Sequence, residues 1–153
     1  MNIQEFLARR NVPFEVLEHR QTFDAQRMAE AVHVSGYHVG KTVMLRTDGP
    51  DHFVVAVIPA SHHVDIDKVR EAIGCEKVEL ATENEITQRC LDCEVGALPP
   101  FGSQYAMKTI IDETLANEDD IVFEGTTHTE AVKMNYDNFR KLEEPVVASL
   151  IQD

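Results

Sequence analysis

The sequence is poor in basic residues, has no tryptophan and contains only three cysteines. Its 153 residues include 14 Lys and Arg against 27 Asp and Glu, which gives a formal net charge of −13. Proteins that bind nucleic acid over a broad surface usually carry a basic domain, because their affinity comes from neutralising phosphates. The charge therefore excludes a broad nucleic-acid-binding face. A local contact is still compatible with it, since charges are screened over about 8 Å at physiological salt.

Long apolar runs are also missing. The longest wholly apolar run is Phe53 to Ile58, whereas a membrane-spanning helix needs about 20 residues. The first ten residues, MNIQEFLARR, are typical of a short amphipathic helix and lack the basic start and apolar stretch of a secretion signal. Three cysteines without such a signal favour reduced thiols over a disulfide framework. We therefore expect a cytoplasmic protein with no membrane partner.

Length and periodicity predict a single domain over residues 1–153, because domains commonly contain about 100–200 residues and the sequence has no repeat or linker. Helices are predicted over the first ten residues, from Asp24 to Val32, from Asp65 to Ile73 with Gly74 as a left-handed stop, from the Thr82–Glu85 capping box toward Cys90, and from Tyr136 to Leu142.

Alternating apolar residues predict the strands. They lie near Phe14–Leu17 and at Lys41–Arg46, Phe53–Ile58, Lys77–Leu80, Met107–Ile111, Ile121–Phe123 and Thr129–Met134. The second and third of these flank a turn-rich connection, Thr47 to Asp51, and predict a hairpin whose later strand is central. Helices interleaved with paired strands predict an α/β or α+β fold around one mixed sheet.

The well-known catalytic motifs are absent. The sequence has no G-x-S-x-G, H-E-x-x-H, G-x-x-x-x-G-K-[ST] or G-x-G-x-x-G. Serine hydrolases of the nucleophile-elbow type, zinc proteases, P-loop proteins and dinucleotide-binding folds therefore lose their usual support. The chemistry must come from less specific features: a lysine at the head of a strand, a Gly/Pro loop, a late histidine, a CxxC and a His pair.

Lys41 begins a predicted strand and shares the more apolar face with Val43 and Leu45. An inward lysine at a sheet edge must meet an anion or line a cleft, because an unpaired buried ammonium is unfavourable. The alternative is a lysine whose methylene chain is buried while its ammonium group extends into solvent. The pattern alone leaves both interpretations open.

The loop GALPPFG, Gly96 to Gly102, combines glycines that permit close backbone approach with prolines that restrict φ. Such a loop can present backbone N–H groups at a fixed angle toward an oxygen that gains charge during acyl transfer. The same composition also occurs in ordinary turns. The loop is a candidate oxyanion site only together with other features.

His128 shares strand parity with Val132 and Met134, which predicts an inward side chain that is either a hydrogen-bonded core residue or part of a site. The pair His62–His63 beside Asp65 does not predict a metal site, because adjacent residues of an extended segment point apart and Asp65 caps a helix. No metal is expected.

Cys90 and Cys93 have the spacing of a redox motif. In thioredoxin-like sites, however, the first cysteine lies at the start of a helix, where the dipole lowers its pKa. Here it lies near the end of one, so a structural or incidental role is favoured.

Five segments occur in this order: GKTVMLR, FVVAVIPASHHVDIDKVREAIG, LATENEI, CEVGALPPFGSQY and IVFEGTTHTEAVKM. In that order and spacing they resemble the YbaK family, which is related to the editing domain inserted in bacterial prolyl-tRNA synthetases. The resemblance covers about residues 22–142. It implies a trans-acting deacylase that hydrolyses the ester between a wrong amino acid and the terminal adenosine of tRNA. It also implies a mixed, partly barrel-like sheet flanked by helices, with no metal and no cofactor.

The resemblance further implies roles for single residues. Lys41 holds the phosphate of the terminal nucleotide, and Gly96 lends its backbone to the scissile carbonyl. No protein nucleophile is needed, because the neighbouring ribose hydroxyl helps to position the attacking water. The expected pocket residues are Thr22, Met28, Ala97, Phe101, Gly102, Gly125, the pair Thr126–Thr127, and His128.

Two departures from the family matter. Pro99, Pro100 and Phe101 are bulkier than the residues that some relatives carry after the glycine, so we expect a pocket for a different amino acid. The charge of −13 predicts weak affinity for free tRNA and hence help from an aminoacyl-tRNA synthetase or another partner. Two other functions stay open at this point: a non-catalytic module that binds a nucleotide or aminoacyl ligand in the same pocket, and a CxxC thiol protein.

Overall fold

The computed structural model describes residues 2–48, 52–94 and 96–153, apart from the side chain of Tyr37. Its helices are α1 (Ile3–Arg9), α2 (Ala25–Ala31), α3 (Ile66–Ile73), α4 (Glu83–Arg89), α5 (Glu113–Ala116) and α6 (Tyr136–Glu143), with short 3-10 helices at Gly36–His38 and Gly102–Tyr105. Its strands are β1 (Phe14–Glu18), β2 (Val39–Thr47), β3 (Phe53–Pro59), β4 (Val78–Leu80), β5 (Lys108–Asp112), β6 (Asp120–Glu124), β7 (Glu130–Asn135) and β8 (Val146–Ala148).

The strands form one mixed sheet in the order β1-β7-β6-β2-β3-β5-β8, with β4 paired to β2. Three pairs are parallel (β2 with β6, β3 with β5, β5 with β8), and the pairs β1 with β7, β6 with β7 and β2 with β3 are antiparallel. The predicted mixed α/β fold is therefore confirmed. The β2–β3 hairpin is also confirmed, with Lys41 opposite Ile58, and β3 is buried along nearly its whole length. Gly49, Pro50 and Asp51 of the predicted turn lie outside the described residues.

Apolar side chains cover both faces of the sheet. On one face α2 and α3 pack over β2 and β3, with Met28 and Val69 fully buried. On the other face α1 and α6 enclose an aromatic cluster around Phe101, whose ring meets Phe6, Phe123 and Phe139 edge-on at centroid distances of 5.5, 5.7 and 5.2 Å. Burial of these rings supplies much of the driving force for folding on this side.

The helix-terminus predictions are confirmed. Asp65 caps α3 by accepting from the backbone N–H groups of Asp67 and Lys68, and Gly74 ends that helix in the left-handed conformation. Thr82 and Glu85 form the capping box of α4. Besides the two short 3-10 helices, the four-residue α5 and the strand β8, whose residue Val146 pairs with Ile110, were not predicted.

One edge of β2 is split between two partner strands. β6 pairs with Val39 and Gly40, at the start of β2, and β4 pairs with Leu45 to Thr47, at its end. Between them, residues 41–44 have no neighbouring strand on this edge within the described part of the chain. The other edge is occupied by β3. The split therefore opens a gap in the sheet at Lys41. Within the described ranges, no helix is long and apolar enough to cross a membrane.

Candidate functional site

A cavity of about 580 Å³ opens at the split edge of β2. This volume lies within the range of pockets that hold small ligands, about 300–1,000 Å³. Its wall is made by the start of α2, the middle of β2, the approach to α3, the end of β4, α4, one residue of the Gly/Pro loop and the C-terminal tail: Phe23–Ala25, Lys41–Met44, His63, Val64, Ile66, Leu80, Ala81, Ile86, Gly96 and Gln152. Lys41 and Gly96 therefore line the same cavity.

The Lys41 ammonium is held at the cavity wall by the main chain. Its Nζ donates to the carbonyl oxygen of His62 at 2.9 Å, which leaves two N–H donors for a ligand. Burial lowers the pKa of Lys41, and the negative charge of Asp24 partly offsets this effect. Lys41 thus faces inward, as its parity with Leu45 predicts, and a partly desolvated cation attracts an anion more strongly than an exposed one.

Gly96 lies against two other segments of the cavity wall. Its φ is +86°, in the left-handed region where side chains are disfavoured. A Cβ at this position would stand 2.9 Å from the Phe23 carbonyl oxygen and 3.3 Å from Cε1 of His128. Only glycine therefore lets the three segments meet without displacement, and the backbone at this point is exposed to whatever occupies the cavity.

The rest of the Gly/Pro loop is anchored in the protein. The Gly102 N–H donates to Oγ1 of Thr109 at 3.0 Å, and the Ser103 N–H donates to the buried Glu143 carboxylate at 3.2 Å. A Cβ on Gly102 would lie 2.7 Å from that same Thr109 oxygen. These contacts hold the far end of the loop, and Leu98 packs against the core.

His128 lies in the turn between β6 and β7, not on a strand as its parity predicted, because β7 begins at Glu130. It is nevertheless buried, with 5% of its surface exposed. Its backbone N–H donates to Oε2 of Glu94 at 2.9 Å, and its Nε2 lies 3.7 Å from the same oxygen. Its ring also contacts that of Phe23, with centroids 5.1 Å apart. His128 thus stands directly behind Gly96.

Glu124 is a buried carboxyl group close to this region. The last paired residues of the parallel strands β2 and β6 are Gly40 and Phe123. Lys41 and Glu124 are the next residues of these two strands. Glu124 is 3% exposed, and neither of its carboxyl oxygens has a hydrogen-bond partner among the described residues. Burial, and then the charges of Asp24 and Glu94, raise the pKa of Glu124 to about 8. At pH 7 this carboxyl group is therefore mostly neutral.

Comparison of the sequence with models of protein families identifies the family of this chain. Residues 19–142 match the model of the aminoacyl-tRNA editing domain. The chain belongs to this family. Stretches of about half of the chain are also 36% identical, over 76 residues, to the proline–tRNA ligase of Bacillus cytotoxicus and 34% identical, over 77 residues, to proline–tRNA ligase 1 of Bacillus thuringiensis subsp. konkukian. Each match spans 50% of this chain and only 13% of the ligase.

Solved structures share the fold of this editing domain over almost its whole length. A candidate trans-editing enzyme for prolyl-tRNA synthetase superposes with a TM-score of 0.86 and 19% identity, covering 99% of this chain and 96% of that chain. A protein described only as hypothetical superposes with a TM-score of 0.88 and 20% identity, covering 99% and 100%. At these identities the likeness concerns the fold.

The other residues expected in the editing pocket lie outside the wall of this cavity. Met28 belongs to the core under α2, and Phe101 lies at the centre of the aromatic cluster on the opposite face. Phe101 is fully buried there, so its bulk has no direct contact with a ligand in the cavity. The expected link between Phe101 and the choice of amino acid therefore has no support in this geometry.

The remaining expected residues support the turn and loop around the cavity. Thr22 is buried, and its N–H donates to the His128 carbonyl at 2.9 Å. Ala97 is buried beside Gly96, and the Gly125 N–H donates to the Glu130 carbonyl at 3.0 Å. Thr126 (φ +73°) and the partly exposed Thr127 complete the turn before His128.

The structure adds residues that sequence reasoning missed. Phe23 lines the cavity although 68% of its surface is exposed, which is unusual for so large an apolar side chain. Glu94 holds the main chain of the His128 turn, and Glu124 is a buried carboxyl group near Asp24 and Glu94. An isolated Phe or Glu carries no recognisable spacing, so no sequence pattern could have identified them.

Metal binding has no support in the described residues, among which no group of three or more His, Cys, Asp and Glu side chains is arranged to hold an ion. The His pair separates as predicted. Nδ1 of His62 lies 3.0 Å from the Ser61 hydroxyl, whereas His63 lines the cavity. Asp65 is used as a helix cap.

Glu124→Gln is expected to stabilise the editing domain at alkaline pH. A carboxyl whose pKa is raised by folding holds its proton more tightly in the folded protein, so stability falls as pH rises from about 4.5 to about 8. Glutamine carries no such proton. The gain in unfolding free energy should grow to about 3–5 kcal/mol between pH 5 and pH 9, at 1.36 kcal/mol for each pKa unit. Urea denaturation of both proteins across this pH range measures the difference in unfolding free energy. A difference that does not change with pH would contradict the prediction.

Proposed function

We propose that this protein is an aminoacyl-tRNA deacylase that hydrolyses the ester bond of mischarged tRNA in trans. The observation that carries the proposal is the joint position of Lys41 and Gly96 in the wall of one cavity. A cation and an exposed stretch of backbone are the two elements needed to hold a phosphate and an ester carbonyl together. Membership in the aminoacyl-tRNA editing domain family supports the substrate class.

Lys41 binds the phosphate of the terminal nucleotide. Its Nζ is oriented by the His62 carbonyl, so little side-chain entropy is lost when the phosphate arrives. The ammonium is the only Lys or Arg among the described residues that line the cavity. A phosphate that enters the cavity therefore has one ammonium group to bind, and this contact orients the acceptor end of the tRNA.

Gly96 places its backbone beside the scissile carbonyl. Water attacks the carbonyl carbon, the ester bond to the ribose breaks, and the free amino acid and tRNA leave. Preorganised donors aimed at the developing oxyanion contribute roughly 2.7–4 kcal/mol each in acyl transfer. His128 and Phe23 hold this backbone from behind, and the adjacent ribose hydroxyl of the substrate positions the water.

Phe23 offers the terminal adenine a surface for stacking. Its ring is mostly exposed at the cavity, and its underside rests on the His128 ring. Exposed aromatic side chains commonly stack on unpaired bases, at about 1–3 kcal/mol for each base. Such a contact needs no basic surface, which suits a protein of charge −13.

A panel of mischarged tRNAs tests the proposal. We expect loss of the ester from at least one mischarged tRNA and slower loss from the correctly charged one, measured by acid precipitation of labelled amino acid. Size-based pockets distinguish one methylene by about 10–200-fold, so the panel should vary side-chain size. Binding of a substrate without any turnover would favour the non-catalytic binding module instead.

A synthetase partner is the second part of the proposal. One solved structure of this fold is described as a candidate trans-editing enzyme for prolyl-tRNA synthetase, and the net charge of −13 opposes unaided tRNA binding. We expect weak binding of free tRNA at physiological salt and at least tenfold tighter binding when a cognate synthetase is added. A salt titration with and without the synthetase measures this. Tight unaided binding at physiological salt would overturn the prediction.

A further inference from the structure

Cys90 and Cys93 lie where α4 passes into the loop that carries Gly96. Cys90 caps the C-terminus of α4 and is 2% exposed, whereas Cys93 is partly exposed. The Cys93 N–H approaches the Cys90 carbonyl oxygen at 3.5 Å and closes a four-residue turn. The end Cα atoms of such a turn lie within about 7 Å, and disulfides span about 4.4–6.8 Å. The backbone therefore already suits a bond between the two sulfurs.

The two thiols differ in reactivity. The Cys93 thiol donates to the Cys90 carbonyl oxygen at 3.5 Å, and the Tyr105 hydroxyl approaches the Cys93 sulfur at 3.9 Å. The Cys90 thiol, and to a lesser extent the Tyr105 hydroxyl, lower the pKa of Cys93 to about 7 against the opposing effect of burial. The neighbouring Cys93, and then burial, raise the pKa of Cys90. Asp92, which accepts a hydrogen bond from Tyr105 at 3.1 Å, lies on the solvent side of the turn.

We propose that Cys93 and Cys90 form a second reactive site, a dithiol that a peroxide oxidises to a disulfide. The Cys93 thiolate attacks the terminal oxygen of ROOH, the O–O bond breaks, and ROH leaves after protonation. Cys93 is then a sulfenic acid. The Cys90 sulfur attacks it, the S–O bond breaks, and the Cys90 proton leaves with the hydroxide as water. Two thiols lose two electrons in total, and the peroxide gains them.

The order of the two cysteines is the reverse of that in thioredoxin-like sites. There the nucleophile is the first cysteine, at a helix start. Here the first cysteine is buried at a helix end, and the second is partly exposed next to the Tyr105 hydroxyl. The nucleophile is therefore Cys93, and Cys90 is the resolving thiol.

Glu94 connects this turn to the candidate editing cavity, so disulfide formation should affect the residues around the cavity. The Glu94 N–H donates to the Thr126 carbonyl at 3.0 Å, and its carboxylate accepts from the His128 N–H. Gly96 follows two residues later. Closing the disulfide draws the two sulfurs to about 2.05 Å directly before these contacts, so the amide environments of Gly96 and His128 should change. This effect does not depend on the deacylase activity.

Cys75 provides a matched control. It is also partly exposed, but burial and the charge of Asp48 raise the pKa of its thiol. Treatment with one equivalent of hydrogen peroxide should make wild type and Cys75→Ser 2 Da lighter, and subsequent alkylation and peptide mass mapping should locate a Cys90–Cys93 disulfide in both. Cys90→Ser should stop at a Cys93 sulfenic acid that dimedone traps, and Cys93→Ser should react at least tenfold more slowly.

The same samples give a second readout. In ¹H–¹⁵N spectra the amide resonances of Gly96 and His128 should shift on oxidation of wild type and Cys75→Ser and stay in place in Cys93→Ser. The proposal is wrong if Cys75 is oxidised as fast as Cys93, if dimedone traps Cys90 instead, or if the disulfide forms while both amide resonances stay unchanged. None of these readouts requires tRNA, so they are independent of the deacylase proposal.

Discussion

Replacing Lys41 with alanine is expected to lower kcat/KM for deacylation about 10- to 150-fold. A hydrogen bond to a charged group contributes roughly 1.5–3 kcal/mol, and this loss falls on the transition state as well as on binding. The Lys41 ammonium is partly desolvated and oriented by the His62 carbonyl at 2.9 Å, so a phosphate loses its main charged partner. Single-turnover hydrolysis of mischarged tRNA measures the effect.

Two further variants separate the charge from the packing. Lys41→Met keeps the apolar stem and should be as inactive as Lys41→Ala, while its unfolding midpoint should match or exceed that of wild type. Lys68 offers a matched control, because its Nζ also donates to a main-chain carbonyl, that of Ile151 at 2.7 Å, and it is absent from the cavity wall. Lys68→Ala should retain full activity. Equal losses in both alanine variants, or full activity in Lys41→Met, would refute the role of Lys41.

Gly96→Ala is expected to reduce deacylation about 100-fold. The new Cβ would stand 2.9 Å from the Phe23 carbonyl oxygen, which is main chain and cannot rotate away, and 3.3 Å from the His128 ring. The backbone of Gly96 must therefore move. A displacement of about 1 Å at a reacting centre can cost roughly 100-fold in rate. The kinetics should show the loss mainly in kcat, because the phosphate contact of Lys41 is untouched.

Gly74→Ala is the control for backbone strain. Gly74 also has a left-handed backbone, with φ of +70°, but a Cβ there would meet no atom within 4 Å. Both variants should lose about 1–2 kcal/mol of unfolding free energy from the conformation itself, and only Gly96→Ala should lose activity. Chemical denaturation and single-turnover assays on both proteins measure the two effects. Parallel losses of activity would show that strain, and not the cavity, explains the result.

The predictions of local structure succeeded where the cause is local. The cap at Asp65, the left-handed stop at Gly74 and the Thr82–Glu85 box depend on neighbours within four residues. β8 was missed because its pairing depends on β5, more than thirty positions earlier, and on Asp112, whose carboxylate accepts from the Leu150 N–H at 2.8 Å. No pattern within the tail itself encodes that contact.

The predictions for the candidate site divide in the same way. The parity of Lys41 and the rigidity of the Gly96 loop were readable from the sequence, because each depends on its own segment. The other residues of the pocket wall could not be predicted from the sequence. Met28 and Phe101 face the core, whereas Phe23, which has no motif around it, lies at the cavity. Their positions depend on how α2 and the loop pack against the sheet.

The amino-acid sequence by itself determined the mixed α/β class, the main helix ends, the acidic character and the family resemblance, since these follow from composition, periodicity and short-range contacts. The tertiary structure alone decided that Lys41 and Gly96, 55 positions apart, share one cavity. That meeting results from the division of the β2 edge between β6 and β4. Strand pairing over long distances along the chain is set by packing of the whole sheet, which no single segment specifies.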